Sequence, residues 1–311
     1  MVEILKLSKQ VTSKPLDQWQ SVAVELLGSQ TRFVQGERWR HRVIDAGEGG
    51  EPLILIHGIG GHAETFARNL RNLADHGFHA IAIDALHHGF TDKQPYDDET
   101  RTDLQVDALI DLIDAMGFAS VHIEGESLGA LLAFELGMRV PDRCGKLILN
   151  TGFGQVRTKK TDFVADPTDF SRLAELSRRS LLEPTFENMR NRMEWLVASP
   201  DRMTDEMVQI RLRLYSDPEI HQSMLNVFMI GKQPTWTFKW EEEDLQKFEP
   251  ETLVFWTEHN PGQGPDYGEY VAGLLPGAKF YNMLDAAHWP QWEKPEEHDQ
   301  VLIDFINGHG T

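Results

Sequence analysis

Short runs of apolar and β-branched residues recur along the chain, each bounded by residues that favour turns. The runs lie at residues 53–56, 80–83, 121–123, 146–149, 252–256 and 278–281. Such runs, without polar alternation, are typical of strands buried on both faces, as in a parallel sheet. We therefore predict a mostly parallel, twisted sheet built from these runs.

Helical stretches separate the runs. They cover residues 63–75, 100–116, 128–140, 266–275 and 295–306. Alternation of strand and helix favours an α/β fold with helices on both faces of the sheet. Ahead of it, residues 32–44 predict an antiparallel hairpin at a sheet edge. Residues 13–27 predict an N-terminal helix with Ser13 as its N-cap.

The alternation is interrupted once, between Leu149 and Thr252, where no strand-like run is visible. Apolar residues there recur every three or four positions, which predicts helices with one apolar face. These residues are Phe186, Met189, Met193 and Leu196, then Met207, Ile210 and Leu214. Helices inserted above the carboxyl ends of strands lie where α/β sheets bind ligands. The apolar face can therefore pack on the sheet and also line a substrate cavity.

These patterns predict the domain organisation. Residues 1–152 and 238–311 form an α/β core, in which residues 1–30 are an N-terminal helical extension. Residues 153–237 form a helical lid.

Composition narrows the class of partner. The 311 residues include 49 acidic and 30 basic side chains, a net charge of −19, which disfavours nucleic acids and anionic membranes. The single cysteine, Cys144, excludes an internal disulfide and suits a reducing compartment. We find no signal-peptide pattern and no apolar run near the ~18 residues needed to span a bilayer. We expect a cytoplasmic protein with a small-molecule substrate, and a homo-oligomer is left open.

The motif Gly125-Glu126-Ser127-Leu128-Gly129 is the one G-x-S-x-G in the chain. It follows a predicted strand and opens a predicted helix, which is the context of a nucleophile elbow. We therefore predict Ser127 as a catalytic nucleophile.

A serine nucleophile needs a base and donors for an oxyanion. Among the 13 histidines, His288 follows the last predicted strand and precedes the last helix, where a short loop can bring it back to Ser127. After the first buried strand, residues 57–61 form a glycine-rich loop. The N–H groups of Ile59 and Leu128 are the predicted oxyanion donors. The loop lacks the lysine of a P-loop, and the histidines lack metal-ligand spacing, so we expect no cofactor and no metal.

With these motifs the chain resembles the α/β-hydrolase superfamily from about Thr31 to Ile306. Within it, the chain is similar to the meta-cleavage product hydrolases, which cut a carbon–carbon bond in ring-fission products of aromatic compounds. The segment His288-Trp289-Pro290-Gln291-Trp292-Glu293 and the lid segment 183–188 carry this likeness. The resemblance implies Arg211 as the group that grips a substrate carboxylate and Trp289 as a pocket wall. Further expected substrate contacts are Gly58, Gly60 and Glu126.

Three positions depart from the family pattern. Glu126 stands where the family has Asn before the nucleophile, and the oxyanion loop is shorter. The position of the triad acid is occupied by Asn260, whose amide oxygen can orient a histidine but cannot offset the charge of an imidazolium. Glu258 and Asp266 are alternative acids.

We therefore predict a serine-type hydrolase that cleaves the carbon–carbon bond of a ring-fission product, a vinylogous diketone acid. A carboxylesterase or lactonase using the same residues is an alternative. A degenerate hydrolase fold that only binds a ligand is a second alternative, because Asn260 replaces the acid.

Overall fold

The computed structural model describes residues 2–12, 14, 18, 21–160, 167–232 and 238–309. Within them, nine strands form one sheet and two short strands form another. The strands are β1 (Glu3–Ile4), β2 (Gln30–Gln35), β3 (Arg40–Ala46), β4 (Glu51–Ile56), β5 (Phe78–Ile83), β6 (Val121–Glu126), β7 (Cys144–Asn150), β8 (Val156–Arg157), β9 (Trp240–Glu241), β10 (Thr252–Thr257) and β11 (Lys279–Met283).

The large sheet has the order β1-β11-β10-β7-β6-β4-β5-β3-β2. All neighbours are parallel except β3, which pairs antiparallel with both β2 and β5. In register, Ile56 of β4 lies opposite Gly125 of β6, and Gly125 lies opposite Leu149 of β7. The carboxyl ends of the central strands therefore meet at one edge, where an α/β sheet binds its ligands.

Eleven α-helices lie in the described residues. They are α1 (Val22–Glu25), α2 (Leu70–Asp75), α3 (Arg101–Ala115), α4 (Leu128–Arg139), α5 (Pro167–Leu182), α6 (Phe186–Glu194), α7 (Asp205–Tyr215), α8 (Pro218–Val227), α9 (Pro265–Leu274), α10 (Pro290–Glu293) and α11 (Pro295–Ile306). The apolar faces of α3, α4 and α9 pack in one core cluster with the sheet. Those of α2 and α11 pack in a second cluster. Because the strands between are buried on both faces, the predicted fold class is confirmed.

Helices α5 to α8 are inserted between β8 and β9. Their apolar stripes meet in a third cluster that includes Met189, Met193 and Met207, together with Trp289 and Trp292 from the core. Thr185 and Thr204, the N-caps of α6 and α7, accept hydrogen bonds from backbone N–H groups in the first turn. The methionine stripes thus hold the inserted helices against the residues that follow β11.

Three predictions about secondary structure need correction. In the described part of residues 1–30, the helix covers only Val22–Glu25, and Glu3–Ile4 is a strand that pairs with β11. Ser13 and residues 15–17, 19 and 20 lie outside the described residues. The stretch between Leu149 and Thr252 does contain strands, β8 and β9, whose two residues each are too few to give a pattern. The helix predicted over 63–75 is divided into a 3₁₀ turn, Ala63–Phe66, and α2.

Candidate active site

Ser127 occupies a sharp turn between β6 and α4. Its φ of 55° and ψ of −107° are a strained conformation for a residue with a side chain. The turn requires glycine on both sides: a Cβ on Gly125 would lie 2.1 Å from the backbone of Gly129, and one on Gly129 would lie 2.2 Å from the carbonyl oxygen of Ile56. This is the geometry that the G-x-S-x-G motif predicts.

Four strand ends bring the predicted site residues together. The loop of residues 57–61 follows β4, Ser127 follows β6, Asn260 follows β10 and His288 follows β11. Ser127 and His288 line the same two cavities. The residues come from distant parts of the sequence, and the parallel sheet places them at one edge.

His288 is oriented by Asn260. The Nδ1 atom of His288 lies 2.7 Å from Oδ1 of Asn260, and Nδ2 of Asn260 donates to the carbonyl of Gln263 at 2.8 Å. Because the amide nitrogen donates to that carbonyl, the amide oxygen faces the imidazole and accepts a hydrogen bond from Nδ1–H. The other ring nitrogen, Nε2, then carries the lone pair that a general base needs.

The two alternative acids lie elsewhere. Glu258 is exposed and accepts the backbone N–H of Asp285 at 2.9 Å. Asp266 is exposed in the first turn of α9. Within the described residues, neither carboxylate lies within 4.0 Å of His288. The predicted position of the third member, Asn260, is therefore the one that contacts the histidine.

Glu126 lies on the opposite side of the imidazole. Its Oε1 is 3.1 Å from Nε2 of His288, and its Oε2 accepts the backbone N–H of Gly58 at 2.6 Å. Glu126 is 1% exposed, and burial raises the pKa of its carboxyl to about 8. Burial, with a further contribution from Arg192, lowers the pKa of His288 to about 3. No hydrogen bond of the described residues joins Oγ of Ser127 to His288, although such contacts are often loose before substrate binds.

The glycine-rich loop offers free backbone donors. No hydrogen bond in the described part of the chain uses the N–H of Ile59. The N–H of Leu128 belongs to the first turn of α4, where it has no partner within the helix. The N–H of Gly58, in contrast, is taken by Glu126. These observations are consistent with Ile59 and Leu128 as the pair of oxyanion donors.

Gly60 was predicted to contact substrate, and the structure gives it another role. It lines neither cavity beside Ser127. A Cβ at this position would lie 2.5 Å from the hydroxyl of Tyr215 and 2.6 Å from Phe228, and its φ is +72°. Its carbonyl accepts the hydroxyl of Tyr215 at 3.1 Å. Gly60 therefore allows the inserted helices to approach the loop closely.

Two cavities meet at Ser127 and His288. The smaller one, which we call the polar chamber, has a volume of about 40 Å³ and is lined by Gly58, Glu126, Arg192, Arg211 and Trp289, among others. It has room for on the order of three water-sized groups, which is the size of a carboxylate. The larger one, which we call the main cavity, has a volume of about 300 Å³. Its lining includes Leu131, Phe153, Val227 and Asn260.

Two guanidinium groups with unused donors line the polar chamber. Arg211 is 2% exposed, and its Nε and Nη2 atoms have no hydrogen-bond partner. Arg192 is 4% exposed, donates from Nε to Ser177 at 2.9 Å and leaves Nη1 without a partner. Burial lowers the pKa of both, that of Arg192 to about 10. Buried donors without protein partners are costly, so the polar chamber is suited to an anionic group that accepts hydrogen bonds from them.

Arg211 and Trp289 were predicted from the sequence as substrate-contacting residues, whereas Arg192 was not predicted. Trp289 is 2% exposed, and the guanidinium carbon of Arg211 lies 5.5 Å from the centre of its ring. Arg192 lies three positions after Met189, so it falls on the apolar face of α6. A cation on an apolar stripe is the signal that could have identified it.

The buried histidines near the site are neutral. Burial lowers the pKa of His57 to about 3 and that of His88 well below its usual range. The Nδ1 of His57 lies 2.7 Å from the carbonyl of Gly58, and its Nε2 accepts the N–H of Ala85 at 3.1 Å, which fixes the loop. In the part of the chain that the structure describes, no group of three His, Cys, Asp or Glu side chains is arranged to hold a metal ion.

Comparison with known proteins agrees with this geometry. The family described as alpha/beta hydrolase fold matches residues 51–295. A 2-hydroxy-6-oxononadienedioate/2-hydroxy-6-oxononatrienedioate hydrolase of Paraburkholderia phymatum is 29% identical over 276 residues, which are 87% of this chain and 92% of that protein.

Among solved structures, a mutant meta-cleavage product hydrolase from Pseudomonas fluorescens IP01 matches with a TM-score of 0.75 and 23% identity, over 91% of this chain and 99% of that one. A carboxylesterase from Bacillus subtilis matches with a TM-score of 0.69 and 18% identity, over 92% and 96% of the two chains. At these identities the structures establish the fold alone.

The fold and the family match define the class as a hydrolase of the α/β fold. The chain belongs to the α/β-hydrolase fold family, whose match covers more than half of its length. No helix among the described residues has both the length and the apolarity to span a membrane.

Proposed function

We propose that this protein hydrolyses a carbon–carbon bond in a ring-fission product, a vinylogous diketone that carries a carboxylate. The observation that supports this most is the polar chamber, which Ser127, Arg192 and Arg211 line together. Three guanidinium nitrogens of the two arginines have no hydrogen-bond partner there. A carboxylate at one end of the substrate would satisfy these donors. The similarity to a dienedioate hydrolase supports the same substrate class.

In the proposed reaction, Oγ of Ser127 bonds to the ketone carbon as its proton passes to Nε2 of His288. The N–H groups of Ile59 and Leu128 stabilise the carbonyl oxygen that gains the electron pair. The carbon–carbon bond then breaks, its electron pair leaves with the delocalised dienol fragment, and that fragment is protonated. Water hydrolyses the acyl group on Ser127 by the same route.

The two cavities suggest how the substrate is oriented. The carboxylate end occupies the polar chamber against Arg211 and Trp289, and the rest of the molecule extends into the main cavity. Ser127 and His288, which line both cavities, then face the bond between the two parts. We propose that residues 153–237 act as the lid over this site and that residues 1–152 and 238–311 are the core.

The test is to follow the visible absorbance of a ring-fission dienedioate in the presence of the purified protein. We expect it to decay, and we expect equimolar formation of a carboxylic acid and a dienol acid. The Ser127→Ala variant should bind the substrate but leave the absorbance unchanged. Decay at an equal rate with this variant would contradict the assignment of the nucleophile.

Ester hydrolysis is the second candidate. The main cavity is lined by neither Arg192 nor Arg211, and about 300 Å³ accommodates a small neutral ester. A 4-nitrophenyl ester, measured beside the dienedioate, distinguishes the two candidates by the ratio of their kcat/KM values. For the location we propose the cytoplasm, because the single cysteine suits a reducing compartment.

A further inference from the structure

The orienting partner of His288 carries no charge. Asn260 fixes the Nδ1–H form of the ring through its amide oxygen, 2.7 Å away. When Ser127 gives its proton to Nε2, the ring becomes an imidazolium, and an amide cannot offset that charge. The structure therefore needs a carboxylate from another position.

Glu126 is the carboxylate in contact with this ring. Its Oε1 lies 3.1 Å from Nε2, and within the described residues no other carboxylate lies within 4.0 Å of His288. Its other oxygen is fixed by the N–H of Gly58 at 2.6 Å. The contact with Nε2 lacks the alignment of an N–H hydrogen bond, so Glu126 lies beside the lone pair of Nε2 without being hydrogen-bonded to it. Glu126 also lines the polar chamber together with Ser127.

We propose that Glu126 is the catalytic acid of this site. On the Nε2 side of His288, it replaces the carboxylate that is absent on the Nδ1 side. This inference rests on the proposed roles of Ser127 and His288, but not on the identity of the substrate.

In the proposed step, Glu126 and His288 each exchange one proton. At rest Glu126 is protonated and His288 is neutral. Ser127 Oγ bonds to the carbonyl carbon, its proton moves to Nε2, and the carbonyl π electron pair moves to the oxygen. That oxygen takes the proton of Glu126. The products are a neutral tetrahedral adduct and a carboxylate–imidazolium pair. When the adduct collapses, Nε2 of His288 gives its proton to the leaving group, and the hydroxyl of the adduct returns its proton to the carboxylate of Glu126.

The charges around Glu126 support this role. Burial keeps the carboxyl protonated at neutral pH, and Glu124 on the same strand acts in the same direction. Arg192, Arg211 and the N–H of Gly58 act in the opposite direction and favour the carboxylate. With a pKa raised to about 8, the group can release its proton when a positive charge forms beside it.

The test uses hydrolysis of a neutral 4-nitrophenyl ester between pH 5.5 and 9.5, so that it does not depend on the carbon–carbon substrate. We expect Glu126→Gln to lower kcat by roughly 100-fold or more and to leave KM nearly unchanged. The wild-type rate should fall as the pH rises through about 8, where the acid loses its proton. This limb should be absent in Glu126→Gln.

Rescue distinguishes a charge from a structural role. Asn260→Asp supplies a carboxylate on the Nδ1 side of the ring. Added to Glu126→Gln, it should raise kcat at least tenfold. Introduced into the wild type, it should change kcat less than tenfold. Glu135→Gln is the matched control: it is a buried carboxyl on α4, and it contacts Trp240 and Lys239 instead of His288. Its kcat should remain within threefold of wild type.

A Glu126→Gln rate within tenfold of wild type, or a double variant no better than Glu126→Gln, would overturn the proposal. If Glu126→Gln does not fold, the wild type provides the test. Reaction of Ser127 with a serine-directed phosphonate should remove the infrared band of one protonated carboxyl group, and an unchanged band would overturn the proposal. Activity retained in Ser127→Ala would instead refute the proposed function, so the two failures are distinct.

Discussion

Replacing Arg211 by methionine should reduce activity and increase stability at the same time. Two of its nitrogens, Nε and Nη2, have no partner in the buried polar chamber. A charge-assisted hydrogen bond contributes about 1.5–3 kcal/mol when water is excluded, so two bonds to a substrate carboxylate contribute at least about 3 kcal/mol. The expected loss in kcat/KM on the ring-fission acid is therefore roughly 150-fold. For Arg192→Met, which removes one such nitrogen, it is roughly tenfold or more.

The gain in stability follows from the same unpaired charges. Burial lowers the pKa of Arg192 from 12.5 to about 10. At about 1.36 kcal/mol per pKa unit, keeping this guanidinium charged in the folded protein costs about 3 kcal/mol. Methionine fills similar space without that cost. We expect Tm to rise by a few degrees in Arg192→Met and in Arg211→Met.

The assay compares kcat/KM for the ring-fission acid with that for a neutral ester, together with thermal melts of each variant. Arg190→Met is the matched control, because Arg190 lies on the same helix as Arg192 but pairs with Glu194 and Asp205. Arg190→Met should leave kcat/KM unchanged for both substrates and should not raise Tm. Equal losses of kcat/KM on the acid and the ester, with a lowered Tm, would show instead that Arg211 is structural.

Three further predictions follow from the site and the core. His288→Ala should lose roughly 10⁴-fold in kcat or more, and combining it with Ser127→Ala should add little, since the two act as a unit; additive losses in the double variant would contradict this. Burial opposes the charge of His298, but Asp299 and Glu124 raise its pKa to about 9. The protonated ring therefore contributes about 3 kcal/mol to the free energy of unfolding below pH 6.5, and this contribution is lost as the pH rises through about 9. In urea unfolding, His298→Gln should differ most from wild type at pH 6, and a pH-independent difference would contradict this. Gly125→Ala should prevent folding or lower Tm steeply, because the new Cβ would lie 2.1 Å from the backbone of Gly129; a melt like that of the wild type would contradict this.

The fold was predictable because its strands are apolar on both faces. The runs at 53–56, 80–83 and 252–256 lie within β4, β5 and β10, and each is wholly or almost wholly buried. The glycines of the Ser127 turn were equally readable, since no other residue fits the close contact between Gly125 and Gly129. Burial and local turn geometry can be predicted from the apolar pattern and from the positions of glycines.

The features that were missed depend on contacts between distant residues. Strand β1 has only two residues and exists because it pairs with β11, more than 270 positions away. The sequence identified Glu126 as a departure, but not that its carboxyl lies beside Nε2 of His288. Arg192 was hidden because an arginine in a charged helix is ordinarily solvated. Its place on the apolar face of α6 indicates burial only weakly, and the packing of α6 against the site establishes it.

In the proposed function, Ser127 and His288 cleave a carbon–carbon bond in a substrate that is held by its carboxylate. The most direct measurement is the decay of a ring-fission dienedioate chromophore, followed in parallel with wild-type protein and with Ser127→Ala at equal concentrations. We expect rapid decay with the wild type and a rate lower by roughly 10³-fold or more with Ser127→Ala. An undiminished chromophore in the presence of wild-type protein that rapidly hydrolyses 4-nitrophenyl esters would contradict the proposed function.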